Sequence, residues 1–340
     1  MHELVGGLAV VALCAPLLGA LVVATALLGS VAARERFVAR VARAAFTLSF
    51  LSAVGVLAFV LVQGERTVSL GTWFVVEDHQ FELALLLDRL GVTMMALSAA
   101  ACGLIGRFSA SYLHREPGHT RFYFLLAIFA FAMMLVVTAG NLDMLFVGWE
   151  LVGLSSALLI GFFHERPAPV RNGLRAFATY RICDIGLLVG IILLHHHAHH
   201  TLVSNANPGA WSATVGLPAV AATPIAIGLL IGAMGKSAQF PVGGWLPRAM
   251  EGPTPSSAIF YGALSIHAGA FLLLRARALL DAAPMAAAAV IGVGALTAIT
   301  ATLSGRVQAD VKNQLAYAAM SQVGLIFIEI GLGFYELAMW

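Results

Sequence analysis

The chain has 340 residues, of which 60% are hydrophobic and only 11% charged, with a net charge of +2. Soluble domains carry about 25% charged residues, so a mean hydropathy of +0.91 excludes an ordinary soluble enzyme, and no basic patch suggests nucleic acid. Cys14, Cys102 and Cys183 lie singly in apolar runs without CxxC spacing, which argues against a disulfide framework or a metal site.

Apolar runs of about 20 residues recur along the chain and match the thickness of a bilayer. Ten membrane helices and the start of an eleventh are predicted. No basic n-region precedes the first run, so Leu4 to Val31 reads as a retained helix and not a cleaved signal. The second is predicted over Val41–Gln63, followed by a polar hairpin outside the bilayer from Gly64 to Glu82. Further spans are expected over Asp88–Tyr112, Arg121–Val137, and from the Gly140-Asn141 turn to Phe163. The sixth is Arg171–Leu194, with His195, His196, His197, His199 and His200 in the loop after it. The seventh runs from about Leu217 and breaks after Lys236, at Pro241, Gly243, Gly244 and Pro247. Spans over Pro255–Leu274, Pro284–Ser304 and Val311–Gly331 follow, and Tyr335 opens another. Two regions result: residues 1–80, with two helices and the outer hairpin, and residues 81–340, an ion-conducting membrane domain.

Arginine placement sets the expected orientation. With the N-terminus outside, twelve arginines fall in inward loops, and only Arg66, Arg89, Arg275 and Arg277 fall in outward ones.

Within the spans few ionisable residues remain: Asp143, Glu150, Arg181, Asp184, Lys236, His267, Lys312 and Glu329. Such residues are costly in a bilayer and mark pathways. Arg181 and Asp184, three apart, are expected to neutralise each other within one helix. Glu150 and Lys236 lie on different helices without local partners. A carboxylate–lysine pair of variable separation would hold a proton when closed and release it when open, while a static salt bridge is the equal alternative. Tyr261 and Ser265 share a face at i,i+4. His267 is a relay candidate or a packing residue. Lys312 either snorkels to the interface or forms a cytoplasmic exit. The histidine run lacks ligand spacing and is expected to be a solvated loop rather than a metal site.

Three stretches, WELVGLSSALLIGFF (149–163), ATYRICDIG (178–186) and GKSAQFPVGGWLPRAMEGPTPSSA (235–258), together with DVKNQLAYAAMSQVG (310–324), resemble the antiporter-like membrane subunits. These include the largest proton-pumping subunit (L) of respiratory complex I and the A subunit of Mrp antiporters. The resemblance implies an all-α membrane fold with inverted five-helix repeats, each with a broken helix, and makes Glu150 and Lys236 the family's buried pair. The second broken helix would fall beyond Trp340, so the chain reads as a C-terminally incomplete domain. Arg248, Tyr261 and His267 depart from the complex I pattern, which has aspartate, histidine and threonine there. The variant GGWLPRAMEGPTPSSAIFYGALSIHAG is similar to DabB-type subunits of inorganic-carbon accumulation systems. That likeness implies an ion-conducting subunit of the bacterial inner membrane, driving carbon dioxide hydration in a zinc-bearing DabA-like partner, with no cofactor in this chain. The alternatives are a proton-translocating NADH:quinone oxidoreductase or Mrp-type subunit beside other membrane subunits, and a non-conducting assembly scaffold.

Overall fold

Three of the long helices begin where a short polar side chain takes a free N–H group of the first turn. Asp88 accepts from the Gly91 N–H (2.9 Å), Asn141 from Met144 (2.8 Å) and Asp310 from Asn313 (3.0 Å). In the computed structural model, residues 2–28, 35–76, 79–198, 216–259 and 264–339 are described. Helices α1 (His2–Leu28) and α2 (Glu35–Gln63) precede an antiparallel hairpin, β1 (Arg66–Val76) and β2 (His79–Leu87). Then come α3 (Arg89–Tyr112), α4 (His119–Thr138), α5 (Leu142–Ile160), α6 (Pro167–Ala198) and α7 (Ala219–Lys236). Four short helices follow: α8 (Trp245–Arg248), α9 (Thr254–Ser257), α10 (His267–Arg275) and α11 (Arg277–Asp281). The long α12 (Pro284–Gly305) and α13 (Val311–Gly331) and the short α14 (Tyr335–Met339) complete the order.

Among the described residues nine helices are long and apolar enough to cross a membrane. Large apolar side chains such as Leu104, Ile182 and Leu303 are exposed on their outer faces, and Ser49, Asp184 and Lys236 are buried inside. That distribution suits a lipid solvent. The hairpin is stitched to the α4–α5 turn: the Gly140 N–H donates to Ala84 O (2.7 Å), and Asn141 Nδ2 to Glu82 O (2.6 Å). A Cβ on Gly140 would sit 2.7 Å from that Ala84 oxygen, so the close approach needs glycine.

Small residues bring α6 and α7 together. A Cβ added to Gly186 or Gly232 would lie 2.7 Å from the facing Ile231 or Leu187 side chain, and one on Gly228 2.7 Å from Gly186 O. Backbone contact of this kind is what small-residue seams provide in membrane helices.

Several expectations are corrected. The span over Pro255–Leu274 is not one helix: α9 ends at Ser257, a π-type turn follows at Ala258 and Ile259, residues 264–266 are bend and turn, and α10 starts at His267. Pro247 lies within α8 rather than in the break, whose turn covers residues 237–244. His195, His196 and His197 continue α6 instead of forming a loop; His199 and His200 lie outside the described residues. Arg275 is not an outward loop residue. It is buried, forming a two-pronged ion pair with Asp88, with Nη2–Oδ1 at 2.7 Å and a second contact from Nη1 to Oδ2.

Candidate functional site: a line of buried charges

Lys236 ends α7 beside the middle of α6, where the glycine seam closes. A Cβ at Gly235 would meet Cys183 Cβ at 2.5 Å, so the lysine backbone lies directly against α6. Its side chain is fully buried, and its ammonium lies 3.8 Å from Asp184 Oδ2. Asp184 is itself buried and already engaged. Trp149 Nε1 donates to Oδ1 (2.6 Å), and Arg181 Nη2 donates to Oδ2 (3.3 Å). Arg181 makes a second ion pair with Glu150 of α5.

The expected Glu150–Lys236 contact is therefore indirect. The two are joined through Arg181 and Asp184 in a line of alternating charge: carboxylate, guanidinium, carboxylate, ammonium. Arg181 and Asp184 do pair at i,i+3, but the pair is not self-contained. It takes Glu150 on one side and Lys236 on the other. The Glu150–Arg181 half of the line is partly exposed (21% and 38%), and the Asp184–Lys236 half is buried (3% and 0%).

Among the described residues the ammonium has no hydrogen-bond partner. It lies instead over aromatic faces, 4.4 Å from the Tyr180 ring centroid and 5.5 Å from that of Trp149. An ammonium carries three donors and holds a buried site at a cost unless it is paired. Lys236 is thus the loosest member of the line.

Beyond Lys236 the two broken helices meet. Ser237 Oγ donates to Ile266 O (2.5 Å), and Trp245 Nε1 donates back to Gly235 O (3.0 Å). Buried polar atoms without a partner among the described residues gather on these segments: Gln239 Oε1, Ser256 Oγ, Ser265 Oγ and His267 Nδ1. In a packed interior such groups are costly, and they are the kind that water can serve. Ser265 falls in the turn before α10 and His267 starts that helix. Tyr261, with the face it was expected to share with Ser265, lies outside the described residues.

Lys312 neither snorkels freely nor stands apart. At the start of α13 it donates to Met250 O (2.6 Å) and Gly252 O (3.1 Å), capping the carbonyls that end the turn after α8. It lines a polar cleft of about 520 Å³ with Arg248, Glu251, Asp310 and Tyr317, at the end of the bundle opposite the hairpin.

Sequence reasoning missed Asp184 as the lysine's neighbour, and Trp149 and Tyr180 as the aromatic faces around it. The signal lay in the spacing of Gly186 and Gly190 on α6 against Gly228, Gly232 and Gly235 on α7, which marks two helices in backbone contact.

The transmembrane region described as NADH:quinone oxidoreductase/Mrp antiporter matches residues 139–340, and the N-terminal region of complex I chain 5 matches residues 73–123. NADH-quinone oxidoreductase subunit L of Neisseria meningitidis is 35% identical over 278 residues, covering 79% of this chain and 41% of that protein. Subunit L of Rhodobacter capsulatus is 37% identical over 273 residues, covering 75% and 38%. The chain thus spans about two fifths of the length of these relatives. A chain of the Mrp complex from Dietzia sp. DQ12-45-1b superposes with a TM-score of 0.78 at 28% identity, over 97% of this chain and 34% of that one. A chain of the membrane-bound sulfane sulfur reductase, an archaeal respiratory membrane complex, shares the fold at a TM-score of 0.79 and 19% identity, over 97% and 67%.

Proposed function

From the premise that this chain belongs to the NADH:quinone oxidoreductase/Mrp antiporter membrane family, we propose that it is a proton-translocating subunit of a multi-subunit membrane complex of the complex I or Mrp type. The observation that carries the reading is the buried Lys236 ammonium, without a hydrogen bond among the described residues, at the loose end of the Glu150–Arg181–Asp184–Lys236 line.

The line is neutral when all four groups are charged. Loss of a proton from Lys236 leaves a carboxylate in excess. Arg181, held between Glu150 and Asp184, is then drawn more fully onto Asp184, and Glu150 is left underpaired. Charge at one end of the line thereby changes the affinity for a proton at the other. Ser265 and His267 continue a hydrated route from the lysine along the second broken helix, and the cleft beside Lys312 and Arg248 is its cytoplasmic mouth. Tyr261 is assigned to the same route on sequence position.

With the N-terminus outside, the hairpin lies on the outer face and that cleft on the inner. Arg275, withdrawn into an ion pair, leaves Arg66, Arg89 and Arg277 as the outward arginines, which strengthens the positive-inside argument. The membrane is then the bacterial cytoplasmic (inner) membrane. The partial exposure of Glu150 and Arg181 at membrane depth supports a polar neighbour there, since charge facing lipid is costly. That neighbour is a further membrane subunit of the complex.

The test is transport by the assembled complex in liposomes carrying a pH-sensitive dye. The wild type should acidify or alkalinise the lumen under a driving force, and Lys236→Ala should not. Equal rates would leave only the scaffold reading. Replacing a proton gradient by a sodium gradient distinguishes the ion.

A second reading has its own support. Arg248, Tyr261 and His267 stand at positions where complex I members have other residues and agree with the DabB-type pattern. On that reading the complex accumulates bicarbonate, and zinc resides in a DabA-like partner. Co-purification with mass spectrometry and zinc analysis separates the two: a stoichiometric zinc protein favours the second, and quinone-reductase or Mrp subunits favour the first.

A further inference from the structure

We propose that Gly153, Tyr180 and Trp149 form a slot that positions the Lys236 ammonium against Asp184 and retains it only while it is charged; the proposal rests on the transport role assigned to Lys236. The slot has a floor, two walls and a brace. Gly153 of α5 is the floor: a Cβ there would lie 2.4 Å from Lys236 Nζ and 3.5 Å from Tyr180 Cδ2. A methyl there would push the ammonium away from its present position. The walls are the Tyr180 and Trp149 rings, 4.4 and 5.5 Å from Nζ. The brace is Trp245 of α8, packed edge-on against Tyr180 at 4.9 Å while its indole N–H holds the Gly235 carbonyl one residue before the lysine.

Chemistry assigns the rings a selective role. An aromatic face attracts an ammonium through its quadrupole and has no comparable hold on a neutral amine. The hydroxyl of Tyr180 is buried without a partner among the described residues, and the lysine faces the ring. Trp149 acts twice, since its N–H also fixes Asp184. The charged and titratable groups around the ammonium are Asp184, Arg181 and Cys183 on α6, with Glu150 on α5 reaching it through Arg181. Helix α8 contributes only the Trp245 indole, through Tyr180. A lysine that loses its proton in this slot loses both the pull of Asp184 and the pull of the rings. It is then free to leave, which ties side-chain position to protonation.

The experiment measures the pH profile of transport by the assembled complex in liposomes. Tyr180→Leu is expected to move the alkaline limb toward acid by about one pH unit, and Tyr180→Phe, which keeps the ring, to rescue it. Gly153→Ala is expected to lower the rate by about tenfold or more with assembly intact. Gly148→Ala is the control, because its added Cβ would press on Ala132 O and Val136 N of α4 at 3.0 Å, away from the slot. It should reduce yield or thermal stability without moving the profile. If Tyr180→Phe and Tyr180→Leu behave alike, or if Gly153→Ala keeps the wild-type rate and profile, the slot is wrong. Loss of transport in Lys236→Ala would meanwhile leave the functional reading standing. Wild-type transport by Lys236→Ala overturns both. Should Tyr180→Leu not assemble, Gly153→Ala, which alters no polar group, decides alone.

Discussion

Two buried ion pairs sit at different heights in this bundle and are built to opposite specifications. At the hairpin end Arg275 holds Asp88 with two prongs and also lies 3.4 Å from the Val137 carbonyl, and Asp88 caps α3 through the Gly91 N–H. Both carboxylate oxygens are engaged. At mid-bundle Asp184 is shared between an indole, a guanidinium and an ammonium, and that ammonium has no hydrogen bond among the described residues. Burial is equally deep, with Arg275 at 1% and Lys236 at 0% exposure. The difference is saturation. A pair whose two carboxylate oxygens are each gripped by one guanidinium nitrogen has one arrangement and acts as a clamp. A pair with spare donors has neighbouring arrangements of similar energy, which a switch requires.

The contrast can be broken by mutation. Lys236→Ala should lower transport by about a hundredfold or more while the complex still assembles; assays of purified complex in liposomes check both. Asp88→Asn should do the reverse. Removing one charge of a buried pair costs about 3–5 kcal/mol, so the apparent melting temperature should fall sharply while transport per assembled complex persists. If Asp88→Asn instead abolishes transport in stable complexes, the clamp is part of the pathway and the contrast fails. Asp184→Asn keeps its shape but removes the charge that Lys236 faces, and should cut the rate by about tenfold, less than loss of the lysine itself. Lys312→Met should remove two carbonyl caps and cost about 1 kcal/mol, read as a small drop in melting temperature.

The smallest effect sits beside the clamp. Glu65, at the start of the hairpin, is held above the ordinary carboxylate range by partial burial and by the nearby Asp88 carboxylate. A raised carboxyl favours the fold below its unfolded pKa and loses that contribution as pH rises through the folded value. Glu65→Gln should therefore flatten the fall in stability between mildly acidic and neutral pH, by no more than about 0.5 kcal/mol once solvent screening is allowed for.

Much of this is legible in the sequence. Span positions followed from apolar length, and the hairpin from its polar stretch. The ends of α7 and α13 came from Lys236 beside a breaker run and from Asp310 before an apolar run. The pairing of charges was not legible. Arg181 and Asp184, three residues apart, look complete on one helix, and only the position of α5 and α7 against α6 shows that each has a further partner. Arg275 was placed outside because a terminal arginine beside Arg277 looks solvated; its partner is 187 residues away in sequence. The discontinuity between α9 and α10 was hidden because Ala258, Ile259 and Leu264 keep the span apolar while the backbone leaves helical geometry.

The glycine seam between α6 and α7 has a genetic consequence. Gly186, Gly228 and Gly232 carry no charge and touch no proton, yet a single methyl at any of them would press on the facing helix and move Lys236 relative to Asp184. Alleles that silence this protein should therefore include apolar-for-apolar changes that alter no ionisable residue. A screen that scores variants by lost polarity would pass them as harmless.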